Sequence, residues 1–147
     1  MKVLRVAQQM TEEEYRSFLL DRSRTAILAT VRADARPHVA PIWFDLDCDT
    51  LVFTTGESTV KGRNMRRDPR VSLCIDDEEP PFHFVLIEGA AELTAEHPDL
   101  LYWATRIGGR YMGDERADEY GRRNAVQGEL LVRVTPQKTV AYKNISD

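Results

Sequence analysis

The run Phe53-Thr-Thr-Gly-Glu-Ser-Thr-Val-Lys-Gly-Arg-Asn-Met-Arg-Arg-Asp-Pro69 carries the residue types and spacing of a phosphate cradle. A strand end passes through a Gly turn and a Ser/Thr pair into a short basic helix. Ser58 and Thr59 are N-cap residues by type. The first-turn amides of the helix that follows have no intrahelical acceptor, and Lys61 adds a point charge about one turn in. An anionic ligand is the partner such a run takes. The same residues also fit a surface helix whose Lys61, Arg63, Arg66 and Arg67 face water, and the pattern alone does not separate the two. Lysine occurs only at positions 2, 61, 138 and 143, so Lys61 is the one lysine in the middle of the chain.

The other reactive side chains offer less. His38, His83 and His97 share no ligand spacing, and Cys48 and Cys74 stand apart without a CxxC pattern. Neither a metal site nor a disulfide framework is expected. No side chain stands out as a catalytic acid, base or nucleophile. His38 fits a donor to a cofactor as well as it fits a solvent-facing strand residue. Tyr102, Trp103, Tyr111 and Met112 could roof a substrate pocket, but at helical spacing packing is their commoner role.

The chain has 147 residues, of which 42% are hydrophobic, which predicts one globular domain over 1–147 with a real core. A formal charge of -4 and a pI near 5.4 argue against nucleic acid as a main partner. No apolar run is long enough to span a bilayer, and the N-terminal residues lack the apolar segment of a signal peptide. The expectation is a cytoplasmic protein without a membrane partner.

Elements that could position the cradle follow from patterning. Thr11-Glu-Glu-Glu14 is a capping box ahead of Tyr15, Phe18 and Leu19 at helical spacing. Thr25 to Val31 reads as a strand buried on both faces. Residues 38–46 read as one strand, with Pro41 implying an edge or a bulge. A third strand covers Leu51 to Thr55. Beyond the 58–67 helix, Val71, Leu73 and Ile75 alternate as a half-buried strand, and Phe82 to Leu93 forms a long one bent at Gly89. Pro98, Leu100, Ala104 and Ile107 predict a helix over 97–107, ended by Gly108-Gly109. Residues 110–127 read as a second short helix or a mobile lid. Glu129 to Val134 is a last strand, with a β-like tail through Val140. The sum is a mainly β protein, a six- to seven-stranded antiparallel barrel in meander order with flanking helices.

This order, with Phe53-Thr54, Glu57-Ser58 and Lys61-Gly62-Arg63 in place, resembles the split β-barrel of the pyridoxamine 5'-phosphate oxidase superfamily of flavin and deazaflavin oxidoreductases. Lys61 to Val71 resembles the members that use coenzyme F420. Leu28-Ala-Thr30, Arg36-Pro-His-Val-Ala-Pro-Ile-Trp-Phe44 and Ile87-Glu-Gly-Ala-Ala-Glu-Leu93 fit the same family in the same order. The resemblance covers a core of about 11–143, with a helical insert at about 96–127. It implies an FMN-binding type of split barrel, a homodimer with two cofactor sites at its interface, and a small-molecule substrate.

Cofactor contacts implied by the resemblance are Ser58, Thr59, Lys61, Arg63 and Asn64 for the phosphate. Pro41, Trp43, Thr54 and Thr55 are implied for the ring. A strand tryptophan is more often a core or interface residue, so Trp43 has that reading beside it. Val60 stands where true pyridoxamine-phosphate oxidases carry an Arg beside the phosphate Lys, and the C-terminal basic, His-containing motif is missing. The vitamin-B6 reaction is therefore not expected. Hydride transfer between reduced F420 and an organic acceptor is the activity implied, with the F420 tail reaching Arg63, Arg66 or Arg67. FMN chemistry on the same fold and a non-enzymatic cofactor-binding role are the alternatives.

Overall fold

A computed structural model describes residues 7–146. Residues 1–6, on which most of the signal-peptide reading rests, lie outside them. The elements are β1 (Gln8–Gln9), α1 (Glu12–Leu20), β2 (Ala26–Val31), β3 (Pro37–Ile42), β4 (Asp45–Asp47), β5 (Thr50–Gly56), α2 (Val60–Arg67), β6 (Arg70–Asp76), β7 (Phe84–Thr94), α3 (His97–Met112), α4 (Ala117–Asn124) and β8 (Glu129–Lys143). A single 3-10 turn, Asp114–Arg116, links α3 to α4.

Every strand pair is antiparallel, and the hydrogen-bonded path runs β3-β2-β6-β7-β8-β5-β4, with β1 added to β8. The two end strands, β3 and β4, are consecutive in the chain, so the sheet rolls back on itself as a split barrel. Inward side chains from around the ring meet in one core: Leu28, Ile42, Phe53, Leu73, Ile87 and Val132 are all buried there. The capping box is present, with Thr11 accepting from the Glu14 amide and Glu14 accepting from the Thr11 amide. It sets α1 so that Phe18 and Leu19 enter the core. The outer face of β5 and β8 is covered by α3 and α4 through Val52, Leu131, Leu100, Trp103 and Ala125.

The mainly β, antiparallel barrel with peripheral helices is the expected one; several details differ. The described residues hold eight strands rather than six or seven. The 38–46 run breaks at Trp43-Phe44, because the chain must leave β2, its neighbour at β3, and cross to pair with β5 as β4. Simple meander order fails for the same reason, since β2 pairs with β6 and β5 with β8. Pro41 does lie in an end strand, where its missing N–H costs no ladder bond.

The Ala26–Val31 strand is buried on one face only: Ala26, Leu28 and Thr30 point in, while Ile27 is 41% exposed. The expected bend at Gly89 is a register shift between Glu88 and Gly89, and a Cβ there would lie 2.5 Å from the Thr135 carbonyl oxygen. Gly108-Gly109 does not end α3. A Cβ on Gly108 would sit 2.5 Å from Tyr120 Cβ, so this pair lets α4 approach rather than stopping the helix. The stop is Gly113, at φ +96°. Residues 117–124 are a packed helix, so of the two readings for that segment the helix holds.

Candidate functional site

The cradle is built where β5 turns into α2. The Gly56 carbonyl accepts both the Thr59 amide (3.2 Å) and the Thr59 hydroxyl (2.7 Å). Thr59 Oγ1 in turn accepts the Gly62 amide at 3.0 Å and lies 3.0 Å from Thr55 Oγ1. Because the single Thr59 hydroxyl proton goes to Gly56, Thr55 must be the donor in that pair. Thr59 is thus the N-cap, and Ser58 is not. Gly62 is required by this geometry: a Cβ there would lie 2.4 Å from the Gly56 carbonyl oxygen. With the Gly62 amide taken by Thr59, the Val60 and Lys61 amides have no acceptor among the described residues and open the helix as free donors.

Beside this network lies a cleft of about 340 Å³. Thr54, Thr55 and Gly56 form its floor from β5, and Thr59 and Lys61 close one end. Pro41, Ile42 and Trp43 supply the wall at the break between β3 and β4, Ile107 and Asn124 reach in from α3 and α4, and Glu129 enters from the start of β8. Lys61 forms no ion pair within 4.0 Å among the described residues. Its charge is therefore free to meet a ligand.

Trp43 is held rather than buried. Its ring stacks on Tyr111 at 4.9 Å with 6° between planes, and Tyr120 lies 6.1 Å away. The Tyr111 hydroxyl donates to the Arg24 carbonyl at 2.5 Å and accepts from the Phe44 amide at 3.2 Å. Burial pushes the Tyr111 phenol up, so it stays a donor. The α3–α4 insert thus fixes the orientation of Trp43, whose remaining exposure of 37% opens toward the cleft wall. Of the residues thought able to roof a pocket, Trp103 is buried against β5 and β8, and Tyr102 is exposed.

Six of the expected contacts therefore share one cleft: Pro41, Trp43, Thr54, Thr55, Thr59 and Lys61. The other three do not line it. Ser58 and Arg63 are exposed on the turn and the outer side of α2. Asn64 is buried, donating to Thr30 Oγ1 at 3.0 Å and accepting from Arg67 at 3.1 Å, which ties α2 to β2. Sequence reading missed Glu129, Ile107 and Asn124. Glu129 meets the cleft because it pairs with Gly56 across β5 and β8, a register no local pattern announces.

Burial pushes the Glu129 carboxyl up, against the opposing pull of the Thr54 hydroxyl and the Lys61 charge. Larger hollows lie elsewhere, but among the described residues they offer no free cation. Arg70, in a hollow of about 500 Å³ near Ala29 and Ser72, is held by Asp68 at 2.7 Å. Arg24, in one of about 720 Å³, is held by Asp77 at 2.8 Å and by Asp21. Among the described residues no group of His, Cys, Asp or Glu could hold a metal, and no helix is long and apolar enough to cross a membrane.

The conserved hypothetical protein Rv2991 from Mycobacterium tuberculosis has a similar structure, with a TM-score of 0.81 and 26% identity over 97% of this chain and 91% of its own. A structure described as an F420 reductase matches with a TM-score of 0.66 and 27% identity, over 84% of this chain and 94% of its own. The heme storage protein HutZ from Vibrio cholerae shares the fold at 22% identity, with a TM-score of 0.71 over 89% of this chain and 94% of its own. The family model described as pyridoxamine 5'-phosphate oxidase matches residues 11–142, so the strands and the cleft are both inside it. The split barrel carrying this cleft thus makes the chain a member of the pyridoxamine 5'-phosphate oxidase family.

Proposed function

We propose that the protein is an oxidoreductase that binds coenzyme F420 in this cleft and transfers a hydride between reduced F420 and a small organic acceptor. The observation that carries the reading is Lys61, a lysine with no ion pair within 4.0 Å among the described residues, set beside the Thr55–Thr59–Gly62 network and two free helix amides. Support also comes from the Lys61 to Val71 run and from the 27% identity to a structure described as an F420 reductase. The cleft volume of about 340 Å³ is at the lower end of small-molecule sites, as suits a pocket with one wall open.

Reduced F420, when bound, supplies the hydride. The chain's own residues bind, orient and exclude water. Lys61 and the Val60 and Lys61 amides would hold the phosphate, with Thr59 shaping the turn that presents them, while Arg63 and Arg66 stand exposed along α2 for the anionic tail. Trp43, braced by Tyr111, and Pro41 would present an apolar wall to the ring, and Ile107 adds apolar lining that would help exclude water. Asn64 supports this arrangement by fixing α2.

The working form in this reading is a homodimer. Pro41, Ile27, Cys74, Leu86 and Val140 lie opposite one another in a row across the outer face, with Val39, 63% exposed, in the next row. Pro41 belongs both to that row and to the cleft, so a second copy covering the row would also wall the cleft. The deciding experiment is a fluorescence titration with oxidised F420 beside an identical one with FMN. Saturable micromolar binding of F420, with FMN much weaker, is expected. A preference for FMN would move the protein to the flavin branch of the family, and binding of neither would sink the reading.

A further inference from the structure

We propose that Glu129 sets the charge of the phosphate the cradle accepts, admitting a singly charged phosphodiester and penalising a doubly charged phosphomonoester. The inference rests on the reading of Lys61 as the phosphate anchor and goes beyond it by naming the residue that selects among phosphates.

Glu129 faces Gly56 in the β5–β8 register, and a Cβ on Gly56 would lie 3.9 Å from Glu129 Oε2 and 3.4 Å from Thr59 Cγ2. The carboxylate therefore stands against the same turn whose carbonyl and threonine build the cradle. It lines the cleft with Lys61 yet makes no ion pair within 4.0 Å among the described residues. A partly desolvated carboxylate without a close cation is unfavourable unless something else requires it. The charged group facing it across the cleft is Lys61 from α2; Thr54 of β5 and Asn124 of α4 are neutral.

One ammonium and one carboxylate leave the cleft without net charge. A phosphodiester carries one negative charge and is matched by Lys61 and the helix amides. A phosphomonoester carries close to two at neutral pH, and its second charge must face Glu129 with no further cation to meet it. Replacing Glu129 by the isosteric Gln removes that repulsion and keeps a polar group of the same shape.

The test uses three probes on the parent protein and on Glu129→Gln at neutral pH. FMN is the phosphomonoester, riboflavin the same ring without phosphate, and coenzyme F420 the phosphodiester. The expected result is an FMN affinity raised about tenfold or more in the variant, with riboflavin unchanged and F420 altered far less. An FMN affinity that stays put, or moves only as much as riboflavin's, while F420 still binds, overturns the role of Glu129 and leaves the cradle standing. Loss of F420 binding to both proteins overturns the cradle and this inference together. Lys61→Ala separates the two: if F420 affinity is indifferent to Lys61, it is the cradle that fails.

Discussion

Lys61 and Glu129 face one cleft with opposite charges, and each makes a distinct prediction. Lys61→Ala should weaken F420 about tenfold or more, and by a larger factor at low salt than at high, because an ammonium at the mouth of a cleft is screened by added ions. Equal losses at both salt concentrations would argue that Lys61 acts through packing. For Glu129 the carboxyl is held above its usual value of 4.5 by burial, so the folded state grips the proton harder than the unfolded chain does. Its effect on stability is nil below about 4.5 and becomes a growing penalty as pH rises through the raised value. Glu129→Gln should therefore melt higher than the parent at pH 7, with the gap closing in acid; a gap that widens in acid would reverse the sign. Much of this site was legible. Thr59, Lys61, Pro41 and Trp43 announce themselves by local type, as a cap, a lone lysine, an edge proline and a strand aromatic. Glu129 does not, since its place depends on pairing with Gly56 across 73 positions of sequence. Asn64 sits in the right run for a ligand contact, but on the face of α2 that turns to the core.

Among the elements, α3 and α4 show how a correct residue can be read for the wrong reason. The Gly108-Gly109 pair looks like a helix stop, yet the local sequence of a stop and of a close approach is the same. Only the partner, Tyr120, tells them apart. Gly108→Ala tests this. As a helix interior position it would gain about 1 kcal/mol from propensity alone, but the added methyl would drive α4 off α3 at a cost of about 1–3 kcal/mol. The expected outcome is a lower melting temperature, and a loosened stack around Trp43 visible in its fluorescence. A raised melting temperature would mean that the two helices have room to spare. The capping box of α1 and the alternation of β6 needed no such partner and were readable in full. The break at Trp43-Phe44 was not, because the residues on either side continue the same alternation and only the change of neighbour from β2 to β5 divides them.

At the scale of the molecule, the barrel has one covered and one bare outer face. Helices α3 and α4 hide the side of β5 and β8, whereas Ile27, Val39 and Leu86 lie open on β2, β3 and β7. A second copy seated there predicts that Val39→Glu, placed at 63% exposure, changes oligomeric state without unfolding the chain. Light scattering should then report a dimer for the parent and a monomer for the variant, with F420 affinity falling alongside as the cleft loses its outer wall. A monomeric parent at working concentration would remove both expectations. The Thr25 to Val31 run, read as buried on two sides, belongs to this face: its outward residues Ile27, Ala29 and Val31 are apolar, as the proposed dimer would have them.

The split itself has a mechanical meaning. Strands β3 and β4 are the two lips of the opening, not hydrogen-bonded to each other among the described residues and joined by the chain through Trp43-Phe44, which Tyr111 braces. Pro41 stands on one lip, and Thr54 and Thr55 stand on the strand that backs the other, so the cleft bridges the gap. An occupant touching both sides would join two strands that the sheet itself leaves unpaired. Because only the folded barrel brings those two sides together, whatever binds there would raise the stability of the whole fold.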